Sequence, residues 1–139
     1  MKKYVFDSYA VLAYLQNEPG ADQVEAIIEE AQNEAAQILM SAVNLGEVAY
    51  IIERAAGTKK LNEAMALLET LPIEIVNVNK EFALKAAKYK AKNPIAYADC
   101  FTLALGVQTG SQIVTGDPEF HKVTGEAGIM WLPEKIKAK

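Results

Sequence analysis

Residues 4–15 read Tyr4-Val5-Phe6-Asp7-Ser8-Tyr9-Ala10-Val11-Leu12-Ala13-Tyr14-Leu15, a stretch that changes character at one carboxylate. Tyr4 to Phe6 is a short apolar run of β-formers, Asp7-Ser8 ends it, and Tyr9 to Leu15 reads as a helix. Outward from this unit the same alternation continues. After the Pro19-Gly20 break, Val24, Ile27, Ile28 and Ala31 recur at helical spacing, within an amphipathic helix from Ala21 to Ala35. Ile38 to Met40 is a second strand, followed by a helix from about Val43 to Ala56 that Gly57 stops. Another helix carries Leu61, Ala64, Met65 and Leu68 and ends before Pro72. Ile73 to Val76 is the third strand, Lys80 to Lys92 a Lys-rich helix, and Ala96 to Gln108 a further helix closed by Gly110. Gln112 to Thr115 and Ile129 to Leu132 complete five strands. Strands that alternate with helices need crossover connections. The expected fold is therefore α/β, a three-layer α/β/α sandwich around a mainly parallel sheet of about five strands.

A chain of 139 residues, about half of them hydrophobic, is expected to form a single globular domain over 1–139. No stretch approaches the roughly 18 apolar residues of a membrane span. The opening MKKYVFDSYAVLAYL superficially resembles a signal peptide, but Asp7 and Ser8 interrupt its apolar core. Cys100 is the only cysteine, which excludes an internal disulfide and zinc-finger spacing, so a cytoplasmic location is expected. With His121 the only histidine, a two-histidine metal motif is excluded as well. A net charge of −4 argues against a simple basic nucleic-acid binder, unless acids in the chain hold cations.

Four acids stand at junctions of this pattern: Asp7 in VFDS, Glu47 in NLGEV, Asp99 in YADC and Asp117 in TGDPEF. In a parallel sheet, ligands sit beyond the C-terminal strand ends. Asp7 directly follows the first strand and Asp117 comes two residues after the fourth. Glu47 and Asp99 are expected in the first turns of helices opening toward the same edge. Converging carboxylates about 5 Å apart repel by roughly 3 kcal/mol per pair at an effective dielectric near 20. A divalent cation relieves this, and hard oxygen ligands suit Mg²⁺ or Mn²⁺. Each acid also has a structural alternative. Asp7 can cap the helix after the first strand, Asn44-Leu45-Gly46-Glu47 matches a capping box, and Asp117-Pro118 opens a turn. Asp99, in the apolar run Ile95 to Phe101, is the hardest to explain structurally.

Ser8, Thr115 and Asn44 are candidates to orient the carboxylates. Lys85, Lys88 and Lys92 share one face of their helix, set opposite Phe82, Ala86 and Tyr89. They are either a solvated surface or a row of phosphate contacts leading toward Asp99. Lys135, Lys137 and Lys139 at the Lys-rich end are candidates to add to that row. Cys100, Trp131, Phe120 and Tyr97 read as packing residues rather than as a nucleophile or base-stacking platforms.

From Val5 to about Leu132, these motifs together resemble the PIN-domain nucleases, and within them the VapC-type toxins of toxin–antitoxin pairs. VFDSYAVLAYL resembles the first-strand motif, SAVNLGEVAY the helical motif with the second acid, IAYADCFTLALG the third, and TGDPEF, the most specific, the fourth. The resemblance implies a Mg²⁺- or Mn²⁺-dependent endoribonuclease in which Asp7, Glu47, Asp99 and Asp117 hold metal and a metal-activated water cuts RNA. It also implies a homodimer and a small antitoxin, seated on helices from Ala21 to Ala35 and from Val43 to Leu71, with an antitoxin Arg among the acids. Against the pattern, the chain is acidic and Arg54 is its single arginine. Rival readings are a PIN-like binding module without turnover, a DNA nuclease with the same site, and a phosphatase or receiver domain. The last lacks its second acid, since Tyr9 stands two residues after Asp7.

Overall fold

The computed structural model describes residues 1–134. Lys135, Lys137 and Lys139 lie outside the described residues. The elements run β1 Lys2–Phe6, α1 Ser8–Leu15, α2 Ala21–Gln32, β2 Ala36–Ser41, α3 Ala42–Ala56, α4 Thr58–Glu69 and β3 Ile73–Val76. They continue as α5 Lys80–Lys92, α6 Tyr97–Thr109, β4 Gln112–Thr115, a 3₁₀ helix Pro118–Val123 and β5 Ile129–Trp131.

All five strands are parallel, in the order β3-β2-β1-β4-β5. The chain winds outward from β1 to β3, then crosses back to place β4 on the other side of β1. That reversal is a topological switch point, where a parallel sheet leaves a crevice beyond its strand ends. Alternate residues of each strand feed two cores. Tyr4, Phe6, Ile38, Met40 and Val114 pack with Val11, Val24, Ile27, Val48 and Ile52 of α1–α3. Val5, Leu39 and Ile113 face the other way, onto Phe82 and Ala86 of α5 and Phe101, Leu103 and Leu105 of α6. The two layers of helices confirm the expected α/β/α sandwich.

Helix α6 lies deepest, with every residue from Asp99 to Gly106 buried. A buried polar joint ties its start to that of α3. Asn44 Nδ2 donates to the Ala98 carbonyl at 3.1 Å. Its Oδ1 accepts from Thr102 Oγ1 at 2.9 Å and from Ser41 Oγ at 2.5 Å. The expected capping box at Asn44 does not form. Ser41 caps α3, its Oγ accepting the Asn44 amide at 3.1 Å. Glu47 therefore stands in the second turn, not the first, and does not reach back to Asn44. The helix begins at Ala42, immediately after β2, so its free amides belong to residues before Glu47.

Candidate metal centre

Asp7 is the N-cap of α1, its Oδ1 accepting the Ala10 amide at 2.9 Å. Its Oδ2 accepts from Thr115 Oγ1 at 2.5 Å, across 108 residues of sequence. The same Thr115 hydroxyl accepts the Asp117 amide at 3.0 Å. One buried threonine thus couples the acids that follow β1 and β4. Asp117 caps the 3₁₀ helix, its Oδ1 accepting the Glu119 amide at 2.9 Å, with Pro118 at the first helical position. The capping roles of Asp7 and Asp117 are real, and they aim both carboxylates at the switch point.

Asp99 enters from the first turn of α6, beside the Asn44 joint, and among the described residues its carboxylate accepts no hydrogen bond. Glu47 lies one turn beyond Asn44 on α3, and among the described residues its buried Oε1 has no hydrogen-bond partner. A buried carboxylate oxygen left without a donor costs about 1–3 kcal/mol or more. Ser8 is half-buried and makes no side-chain hydrogen bond among the described residues.

These groups feel one another. Burial pushes the Asp7 carboxyl up to about 8; the Thr115 and Ala10 hydrogen bonds oppose this, and the charges of Asp99 and Asp117 add to it. Asp99 is pushed up to about 7 by burial first, then by Asp117, Glu47 and Glu119. Glu119 is thus a fifth carboxylate of the cluster, which the sequence reading passed over within TGDPEF. Lys122 pairs with it at 2.9 Å and also reaches the Pro94 carbonyl at 3.2 Å. The Asp117-Pro118 turn opening carries the signal for it, since the 3₁₀ helix that follows brings residue 119 back toward residue 117.

As placed, no three acidic, histidine or cysteine side chains among the described residues form a group able to hold a metal ion. The donor set nevertheless suits a hard divalent cation. It is all oxygen, two members are buried against strong desolvation, and Glu47 Oε1 has no hydrogen-bond partner among the described residues. Asp7, Asp99, Glu47 and Asp117 are the groups that would hold one, with Asp7 and Asp117 keeping lone pairs free beyond their protein hydrogen bonds.

The close fit of the turn after β4 adds a structural requirement. A Cβ built on Gly116 would stand 2.3 Å from Cε1 and 2.6 Å from Cζ of Tyr9. Tyr9 is held in turn by its hydroxyl, which donates to the Pro133 carbonyl at 3.0 Å. Gly116→Ala is expected to cost about 1–3 kcal/mol by overpacking. A double-mutant cycle with Tyr9→Ala, followed by thermal melts, should recover most of that loss.

Thr115→Val tests the link between the two acids. Loss of the hydroxyl strands the Asp117 amide, at about 1–3 kcal/mol. It also removes the hydrogen bond that holds the Asp7 carboxyl down. Calorimetric Mn²⁺ titration is expected to show affinity weakened about 10- to 100-fold. Unchanged affinity would mean that Thr115 serves folding alone.

Lys85, Lys88 and Lys92 line a groove of about 330 Å³ together with Tyr89, which lies among them rather than opposite as expected. The reason is spacing: Tyr89 is i+4 from Lys85 and i−3 from Lys92, on one helical face. The α6 wall of the groove includes Ala104 and Gln108, roughly 8–14 Å along the helix axis from Asp99. The row flanks the acids at a distance and does not join them. Phe120 is fully buried and Cys100 is buried with its thiol pushed up by desolvation, so both are packing residues as expected. Tyr97 is half exposed and meets Phe101 edge-on at 5.0 Å.

A parallel α/β/α sandwich with a carboxylate cluster at its switch point defines the class of protein. The chain belongs to the PIN-domain family, whose model matches residues 4–126. A comparison with curated protein sequences finds no match. Among solved structures, VapBC2 from Rickettsia felis, bound to a DNA fragment from its promoter, is similar with a TM-score of 0.75 at 13% identity, covering 94% of this chain and 98% of that one. DNA-bound VapBC from Salmonella typhimurium gives 0.71 at 17% identity over 94% and 98% of the two chains. Mycobacterium tuberculosis VapC20, a sarcin–ricin loop cleaving toxin, gives 0.68 at 14% identity over 85% and 92%. At these identities the likeness is one of fold.

Proposed function

We propose that this chain is a Mg²⁺- or Mn²⁺-dependent endoribonuclease and the toxin of a toxin–antitoxin pair. The observation that carries the reading is the pair of buried carboxylates, Asp7 and Asp99, repelled by one another's neighbours Asp117 and Glu47 at the switch point of a PIN fold, with a Glu47 oxygen that has no hydrogen-bond partner among the described residues. Such a cluster costs stability and is explained by a cation that offsets it. When bound, the metal supplies a water of lowered pKa and positive charge against the phosphate oxygens. The protein's part is positional. Asp7 and Asp99 offer carboxylate oxygens, Thr115 fixes the plane of Asp7, and the Asn44 joint sets α6 against α3, where the Glu47 charge acts on Asp99. Asp117 completes the set from the turn after β4, and Glu119 adds negative charge that Lys122 partly offsets. With the only cysteine buried, hydrolysis by water needs no protein nucleophile.

The partner side of the proposal is a small antitoxin on the α2–α4 side. An apolar groove of about 230 Å³ there is lined by Met40, Leu45, Met65, Leu68, Ile73 and Ile75, which suits an amphipathic segment. An Arg from that segment, entering the cluster, would neutralise the acids as a cation does. A homodimer and a cytoplasmic location belong to the same reading. No helix among the described residues is long and apolar enough to cross a membrane.

The test is cleavage of labelled RNAs, with single-stranded DNA alongside, by purified protein in Mn²⁺ or in chelator. Metal-dependent cutting of RNA supports the reading, and cutting of DNA alone redirects it to a DNA nuclease. Bound metal without any cutting would favour a PIN-like binding module.

A further inference from the structure

One feature beside the acids is not used by the metal site, although Trp131 packs one side against the core of α5 and α6. The imidazole of His121 stacks on the indole of Trp131, with centroids 4.0 Å apart and planes 17° from parallel. His121 is exposed, Trp131 is partly buried, and among the described residues His121 makes no side-chain hydrogen bond. Both are anchored to the site. His121 rides on the 3₁₀ helix that Asp117 caps and that carries Glu119. Trp131 is the register partner of Thr115, the residue that holds Asp7, on the neighbouring strand about 5 Å away. Trp131 covers one face of the imidazole and fixes its plane, so a third flat ring can extend the stack without ordering a mobile side chain.

We propose that His121 and Trp131 form a base-stacking platform next to the carboxylate cluster, taking an unpaired nucleobase of single-stranded RNA. The choice of RNA rests on the nuclease reading above. The stacking itself rests on the ring geometry, since every base has a π-face and paired bases within a duplex do not present theirs.

Trp131 is the only tryptophan, so its fluorescence reports on this spot alone. The experiment titrates the Asp99→Asn protein, in chelator, with a short oligoadenylate, with an abasic ribose-phosphate oligomer of equal length, and with duplex RNA. Saturable quenching by oligoadenylate only is expected. His121→Ala should weaken binding of a labelled oligoadenylate roughly 5- to 100-fold, and His121→Phe should restore it. Equal quenching by the abasic oligomer, or unchanged affinity in His121→Ala with the fold intact by circular dichroism, would overturn the platform. The two readings fail separately. RNA cutting by the wild type without base-dependent quenching rejects only the platform. Base-dependent quenching without cutting under any metal condition upholds the platform and rejects only the nuclease.

Discussion

Asp99→Asn is expected to abolish metal-dependent RNA cleavage while making the metal-free protein more stable. Groups that merely orient metal ligands contribute about 10- to 100-fold to affinity or activity, so loss of a direct ligand should exceed about 100-fold. The opposite sign for stability follows from the environment. Burial and the charges of Asp117, Glu47 and Glu119 all disfavour the ionised carboxylate. The amide carries no charge and breaks no protein hydrogen bond, since Asp99 accepts none among the described residues. Its position in the first turn of α6 favours an anion through the helix dipole and reduces the gain. A net gain of about 1–2 kcal/mol at pH 8 would raise Tm by roughly 3–6 °C. A marked fall in Tm would show that Asp99 is a structural residue and would undercut the metal reading. Asp7→Asn is the poorer variant, because Asp7 Oδ2 accepts the Thr115 hydroxyl and an amide nitrogen there could not.

Metal-free protein is expected to lose stability as pH rises from about 4 to 8, and Mn²⁺ to restore it. The folded-state pKa values of Asp7 and Asp99, about 8 and about 7, lie above the ordinary 3.8. Within that window the folded state keeps protons that the unfolded chain has released, so stability falls with pH by up to about 1.4 kcal/mol per unit for each group. The fall from Asp99 ends near pH 7 and that from Asp7 near pH 8. Divalent cation binds the ionised forms and displaces the protons, so its stabilisation should be larger at pH 8 than at pH 5. Thermal melts across pH, with chelator or millimolar Mn²⁺, measure both effects. Stability that is flat or rising over this range in chelator, or a Tm insensitive to Mn²⁺, would contradict a centre strained by its own charges.

The fold was legible because its signals are local. Short β-forming runs of three to four residues, helical periodicity and breaks such as Pro19-Gly20 and Gly57 each act within one or two turns of chain. Asp117-Pro118 announces a turn, but the extent of the 3₁₀ helix to Val123 is not legible, because so short a stretch has no periodicity. Glu47 shows where local reading misleads. Asn44 and Glu47 carry the right residue types for a capping box, yet Ser41 holds the cap because the helix starts earlier, and Asn44 is spent on Ala98 and Thr102. Tyr89 was set on the wrong face of α5 by a spacing argument that its groove corrects.

The sequence by itself determined the succession of strands and helices, the parallel character of the sheet and the order of the candidate acids along the chain. Only the tertiary structure decided the strand order, the contact of Thr115 with both Asp7 and Asp117, the entry of Glu119 into the cluster and the stacking of His121 on Trp131. The physical reason is range. Periodicity records which way each side chain faces, whereas the meeting of residues 7 and 115 depends on how two cores pack on opposite faces of one sheet.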